Sequence, residues 1–191
     1  MKLLPTFAPP PLASPRLLPM LPAQHLLRDL ILEHEQLLLR LGELEQLAHE
    51  LRDGSPTRDV AAVLARIHAL ADELLHAEPH HQREEKVLFP ELELRGIVMP
   101  TAVMRHEHEE LRALKRRLAD LSIQSQPDVD TTANCAFTLV TTLRNHIHKE
   151  NDVLYPMAFT MIVEPAIWTR LRTEAARFGP CCTACGCNSG R

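Results

Sequence analysis

His80-His81-Gln82-Arg83-Glu84-Glu85-Lys86-Val87-Leu88-Phe89-Pro90 is answered further along the chain by His146-Ile147-His148-Lys149-Glu150-Asn151-Asp152-Val153-Leu154-Tyr155-Pro156. Both have the pattern H-x3-E-x2-V-L-[aromatic]-P. A second matched pair precedes them, Glu33-His34-Glu35-Gln36-Leu37 and Glu107-His108-Glu109-Glu110-Leu111. The chain therefore reads as two similar halves, each with a lone helical His and then a His and a Glu four residues apart. At i and i+4 of a helix the two side chains lie on one face, one turn apart, and reach the same interior point. Histidine and carboxylate from four antiparallel helices is how a helical bundle holds two metal ions.

The apolar periodicity places these residues on helices. A first helix, over about 23–52, carries Leu27, Leu30, Leu37, Leu41, Leu44, Ala48 and Leu51 in one stripe, with His34 inside it and His25 and His49 off it. Asp53-Gly54-Ser55-Pro56-Thr57 is a stop-and-restart signal. A second helix, over about 57–93, turns Val60, Val63, Ile67, Leu70 and Leu74 inward, and Pro79 is expected to kink it just before the first H-x3-E. A third, over about 100–123, points Met104, His108, Leu111, Leu114, Leu118 and Leu121 inward and His106 outward. A fourth, over about 128–159, aligns Val129, Thr132, Ala136, Leu139, Leu143, His146, Glu150, Val153 and Met157, and chooses His146 over His148. A short fifth, over about 165–177, brings the only Trp, Trp168, against the bundle end. The expected architecture is an all-α antiparallel four-helix bundle over 23–178 with a short extra C-terminal helix.

Composition agrees, with only 6 Gly and 4% aromatics in 191 residues, too few for a turn-rich β fold. The net charge of -4 carries no basic stripe, and Lys115-Arg116-Arg117 reads as a solvated face, so nucleic-acid binding is not expected. Residues 1–22 hold seven prolines, at 5, 9, 10, 11, 15, 19 and 22, which break any signal-like apolar run; they read as a disordered leader. No stretch is long enough to span a bilayer, so the expected compartment is the cytoplasm. Residues 179–191 form a tail with Cys181, Cys182, Cys185 and Cys187. Four thiols within seven residues could hold a soft metal, take up iron or exchange disulfides. Cys135 reads as a small hydrophobe.

The candidate metal ligands are His34, His80, Glu84, His108, His146 and Glu150. Ionisable groups at matched heights in an apolar core are costly unless a metal or a partner compensates. Imidazole with carboxylate suits iron, manganese or zinc, and two H-x3-E units predict two metals with each Glu free to bridge. In the second helix the repeat selects His80 and Glu84, whereas the upstream stripe carried straight through would select His81 and Glu85. Phe89 and Tyr155 could restrict access to the site or simply pack.

With these motifs in place the chain resembles the hemerythrin-like (HHE cation-binding) family, most closely its repair-of-iron-centres branch. The likeness runs over about 23–179. It includes Glu33-His34-Glu35, His80-x3-Glu84 through Leu88-Phe89-Pro90, Met104-x3-His108-Glu109, and His146 through Ala158. It implies a pair of oxo- or hydroxo-bridged irons, with manganese or zinc as lesser alternatives. It also implies a role under nitrosative or oxidative stress, binding or reducing NO, O2 or peroxide and aiding repair of an iron–sulfur client protein. The alternative is a non-catalytic oxygen or redox sensor, or an iron store, which would bind reversibly without turnover. Oxygen-carrying relatives use an H-x3-H on the third helix; four residues past His108 this chain has Arg112. Typical repair proteins carry a separate N-terminal domain with a Cys-Cys pair, whereas here the cysteines cluster at the other end.

Overall fold

The computed structural model describes residues 17–53, 59–179 and 181, and every regular element among them is helical. The first arm is α1 (Leu26–Arg52). The second is assembled from α2 (Val60–Leu75), α3 (Glu78–Arg83), a π-helical turn (Glu84–Leu88) and α4 (Phe89–Glu93). α5 (Met99–Ser122) is the third arm; α6 (Val129–Lys149), a second π-helical turn (Glu150–Leu154) and α7 (Tyr155–Met161) make the fourth. α1 and α5 each pack on both α2 and α6, which closes the bundle as a ring of four, and α8 (Pro165–Ala175) leans on α1.

Side-chain caps set several helix starts. Asp59 accepts from Ala61 N and Asp128 from Thr131 N, each satisfying a backbone donor that the first turn leaves orphaned. The second arm differs from the expected kinked helix: it breaks at His76–Ala77, and Pro79 sits in the first turn of α3, where a missing N–H costs nothing. Pro90 and Pro156 act otherwise. Each comes directly after an aromatic residue that closes a π-helical turn, Phe89 N–H to Glu84 O and Tyr155 N–H to Glu150 O. A proline ring clashes with the carbonyl four residues back, and the wider i→i+5 turn relieves that clash. The extra residue rotates the rest of the helix about its axis, so Val153, expected inward, is 55% exposed while Leu154 and Tyr155 are buried.

The core falls into two apolar clusters. One gathers Leu41, Leu44, Leu70, Leu74, Leu111, Leu118, Leu139 and Leu143. The other gathers Leu26, Leu30, Val87, Phe89, Met104, Leu154, Tyr155 and Trp168. At roughly 1.5–3 kcal/mol for each fully buried large side chain, they supply the bulk of the folding drive. On each arm the predicted ligands fall where one cluster gives way to the other, for example His34 between Ile31 and Leu37 and His108 between Met104 and Leu111. A polar layer thus lies across the bundle, walled on both sides by hydrocarbon.

Some expectations are corrected. Lys115 is not on a solvated face: it lies between Leu111 and Leu118 on the interior stripe and is buried, which brings its ammonium down to about 8. Leu17 and Leu21, placed in the leader, pack into the second cluster around a short 3-10 turn at Leu18–Met20. His25, expected off the first stripe, is buried: its Nδ1 caps α1 by accepting from Leu27 N, and its ring lies 4.3 Å from that of Trp168. Residues 1–16 and the cysteines at 182, 185 and 187 lie outside the described residues.

Candidate metal centre

All six predicted ligands meet in the polar layer, and each is buried. Their helices deliver them in symmetric fashion: α1 and α5 contribute the lone His34 and His108, and the second and fourth arms contribute His80-x3-Glu84 and His146-x3-Glu150 at the mouths of the two π-helical turns. Such turns in otherwise α-helical segments recur at functional sites.

The ring orientations are set by outer partners. His80 Nδ1 donates to Glu33 Oε2 at 2.8 Å and His146 Nδ1 to Glu107 Oε2 at 2.9 Å. His108 Nδ1 donates to Glu85 Oε1 at 2.8 Å and His34 Nδ1 to Asn151 Oδ1 at 2.9 Å. Each acceptor oxygen demands a proton on Nδ1, which leaves the Nε2 lone pair turned inward. An outer hydrogen bond of this kind is the usual companion of a metal-ligating histidine.

Inward, the donors face one another. Glu150 Oε2 lies 3.2 Å from His34 Nε2, and Glu150 Oε1 lies 3.1 Å from His146 Nε2 and 3.6 Å from His108 Nε2. Glu84 Oε2 lies 3.5 Å from the Nε2 atoms of both His80 and His108. Glu150 therefore reaches both sides of the layer with separate oxygens, whereas Glu84 reaches both with one. The other Glu84 oxygen is taken, accepting a 2.7 Å hydrogen bond from Tyr155 Oη. Among the described residues eight buried side-chain nitrogen or oxygen atoms lack a hydrogen-bond partner, and six of them belong to this set: His80, His108 and His146 Nε2, Glu84 Oε2, and both oxygens of Glu150. Buried polar atoms are rarely left unpaired, and lone pairs facing lone pairs repel unless a cation lies between them. The donor set, neutral imidazoles with carboxylates, fits iron, manganese or zinc.

The electrostatics describe how the side chains respond when protons stand in for metal. Burial and the adjacent Glu150 push the Glu84 carboxyl well above its ordinary range; Glu150 resists burial because His146, His108 and His34 surround it, and stays well below. Burial would lower His146, but Glu150 and Glu107 outweigh it and raise the imidazolium to about 9. His80, with burial and His34 against it, falls to about 4. Protons are thus drawn to Glu84 and His146 and away from His80 and Glu150.

Sequence reasoning passed over several participants. Glu33, Glu107, Glu85 and Asn151, which orient the four imidazoles, all adjoin ligands in the sequence, and that adjacency was the available signal. Arg112, at the position where an oxygen carrier has its extra histidine, binds Glu78 and reaches Glu85 at 2.9 Å. His81 is buried too, so exposure does not separate it from His80, and the two rings are placed differently. His80 Nε2 faces Glu84, while the His81 ring stacks on that of His108 at 4.0 Å and 13°. His81 also lies close enough to group with His108 and His146. Glu85, the alternative to Glu84, turns outward to His108 Nδ1. Cys181, placed in the tail, is buried with Sγ 3.8 Å from Ala77 O, and groups with Glu33 and His80 on the outer side of the layer.

A helical bundle with a histidine–glutamate layer across its middle defines a class of cation-binding proteins, and the comparisons agree. The hemerythrin HHE cation binding domain matches residues 25–158, and the chain belongs to that family. It is 30% identical over 140 residues to the iron-sulfur cluster repair protein DnrN of Neisseria gonorrhoeae, covering 69% of this chain and 85% of that one. It is 27% identical over 130 residues to the iron-sulfur cluster repair protein YtfE of Musicola paradisiaca, and 29% over 128 residues to a probable iron-sulfur cluster repair protein of Haemophilus influenzae. These matches cover 63% and 62% of this chain but only 55% and 54% of the relatives. The chain's relatives are thus of the repair-of-iron-centres branch. Among the described residues no helix is long and apolar enough to cross a membrane.

Proposed function

We propose that this protein holds two irons in the polar layer and serves iron–sulfur cluster repair under nitrosative or oxidative stress, in the cytoplasm. His34, His80, Glu84, His108, His146 and Glu150 would be the ligands. The observation that carries the reading is the set of six inward-facing, unpartnered donor atoms enclosed by two apolar clusters. The naming of three relatives as cluster repair proteins supports the client class.

When bound, the iron pair would supply one-electron chemistry toward NO, O2 or peroxide and a store of iron for a damaged cluster. The protein's own contribution is legible in its side chains. Glu33, Glu85, Glu107 and Asn151 hold the imidazoles in the tautomer that turns Nε2 inward. Tyr155 fixes the Glu84 carboxylate, and burial keeps its phenol protonated, so it remains a donor. Phe89 and Tyr155, fully buried over the histidines, exclude water from that side.

The test is repair itself. A [4Fe–4S] hydratase inactivated by an NO donor is incubated with the iron-loaded full chain and its activity monitored. Recovery should exceed that given by an equal amount of free ferrous salt and be lost with Glu150→Ala. Recovery no better than the salt would refute a repair role.

A further inference from the structure

The two halves superimpose in sequence, and the structure keeps their symmetry: Arg83 matches Lys149, Glu85 matches Asn151, and Phe89 matches Tyr155. At these three pairs the residues differ, and the first two differences bear on the metal position served by His34 and His80.

The first pair beyond the ligand glutamates is decisive. His108 donates its Nδ1 proton to a carboxylate, Glu85, while His34 donates to the neutral amide of Asn151. A charged acceptor draws the proton further and makes the opposite nitrogen a stronger donor; an amide does so less. Arg112 also binds Glu85, at 2.9 Å, but no cation can turn Asn151 into an anion.

The second pair acts on the other histidines. Glu33, behind His80, is held through both oxygens by Arg83 at 2.7 and 2.6 Å, and Arg83 is itself buried. Glu107, behind His146, is met by Lys149, whose side chain is 48% exposed. A buried guanidinium neutralises its carboxylate more fully than a solvated ammonium does, so His80 is backed by less net negative charge than His146.

The third pair distinguishes the two glutamates rather than the two positions. Tyr155 stacks on His34, at 5.6 Å and 3°, and claims one oxygen of Glu84, whose other oxygen lies 3.5 Å from both His80 and His108; Phe89 stacks on His108 and offers no hydroxyl.

We propose that the two metal positions are unequal, and that the ion flanked by His34 and His80 is the weaker-held one and the first to leave. The inference rests on the di-iron reading above and deepens it. The protein would part with one iron to a cluster while the His108–His146 ion keeps the bundle closed.

The experiment is chelator challenge of the iron-loaded full chain under anaerobic conditions, with ferrous release read by absorbance of a strong ferrous chelator. Two phases of one iron each are expected, separated by about tenfold or more in rate, the scale on which outer hydrogen-bond partners act on metal affinity. Asn151→Asp should slow the fast phase and leave the slow one unchanged. Glu85→Gln should quicken the slow phase and leave the fast one unchanged. Circular dichroism of each metal-free variant checks that the bundle is intact, and the two substitutions act independently, so either alone decides the matter. Release of both irons in one phase, or an Asn151→Asp effect on the slow phase, overturns the proposal. Single-phase release with cluster repair intact sinks this inference alone, whereas two phases without repair sink the functional reading alone.

Discussion

The first half of the bundle presents Glu84 with one unpartnered oxygen and His80 tethered to an arginine-locked carboxylate. The second half presents Glu150 with two unpartnered oxygens and His146 tethered to a carboxylate that an exposed lysine meets. The ligands are the same in kind and place; the residues next to them are not. The lesson is that the repeat keeps the inward-facing histidines and glutamates alike while the residues beside them differ, which on the di-iron reading makes two equal-looking positions different. The same two-fold pattern also explains the phase of each half, since both π-helical turns open at a ligand glutamate and end at an aromatic–proline pair.

The sharpest way to break the comparison is to remove the glutamates separately. Glu150→Ala takes oxygens from both sides of the layer and should leave almost no iron per chain. Glu84→Ala removes one oxygen and should retain iron at reduced affinity, by at least the roughly 10–100-fold that loss of an outer partner costs. Metal analysis after gel filtration measures both, and equal losses would mean the carboxylates are interchangeable.

A second comparison lies in the metal-free protein, where the matched histidines titrate in opposite directions. His146 is raised to about 9, so its contribution to stability is fully present below about 6.5 and is lost as pH climbs through 9. His80 is lowered to about 4, so its contribution is present above about 6.5 and is lost as pH falls toward 4. Denaturation of the apo-protein across pH should therefore show two limbs. His146→Gln should flatten the alkaline limb and His80→Gln the acid one, and iron loading should suppress both by holding the rings neutral.

Making the halves more alike gives a smaller effect. Tyr155→Phe leaves a buried Glu84 oxygen without its donor and should cost the apo-protein about 1–3 kcal/mol in urea unfolding, with the loss reduced once iron is bound. An equal loss in both forms would mean that the freed oxygen gains nothing from metal. The smallest effect concerns His25, outside the repeat, lowered to about 4 by burial. Its cap is lost as pH falls from about 6.5 toward 4, and His25→Asn, which caps without titrating, should shave a fraction from the acid limb.

Much of this was legible in the chain. The stripes separate His34, His108 and His146 from His49, His106 and His148 because a helix has a fixed angular step and only one face meets the core. The same logic failed where the step changed. The π-helical turn carried Val153 outward, and Lys115 rode the interior stripe despite its charge because a long apolar stem can be buried along it. The repeat selects His80 over His81, and exposure does not separate them, since both rings are buried. Tyr155 and Arg83 could not be assigned beforehand, since their meaning lies in partners on other arms, 71 positions away in the case of Tyr155 and Glu84.

The measurement that bears most directly on the account is iron stoichiometry with Mössbauer spectroscopy on the full chain, loaded anaerobically with ferrous salt. The account predicts two irons per chain, giving two distinguishable quadrupole doublets, both abolished by Glu150→Ala. One iron or none per chain, or two irons retained in Glu150→Ala, would contradict it.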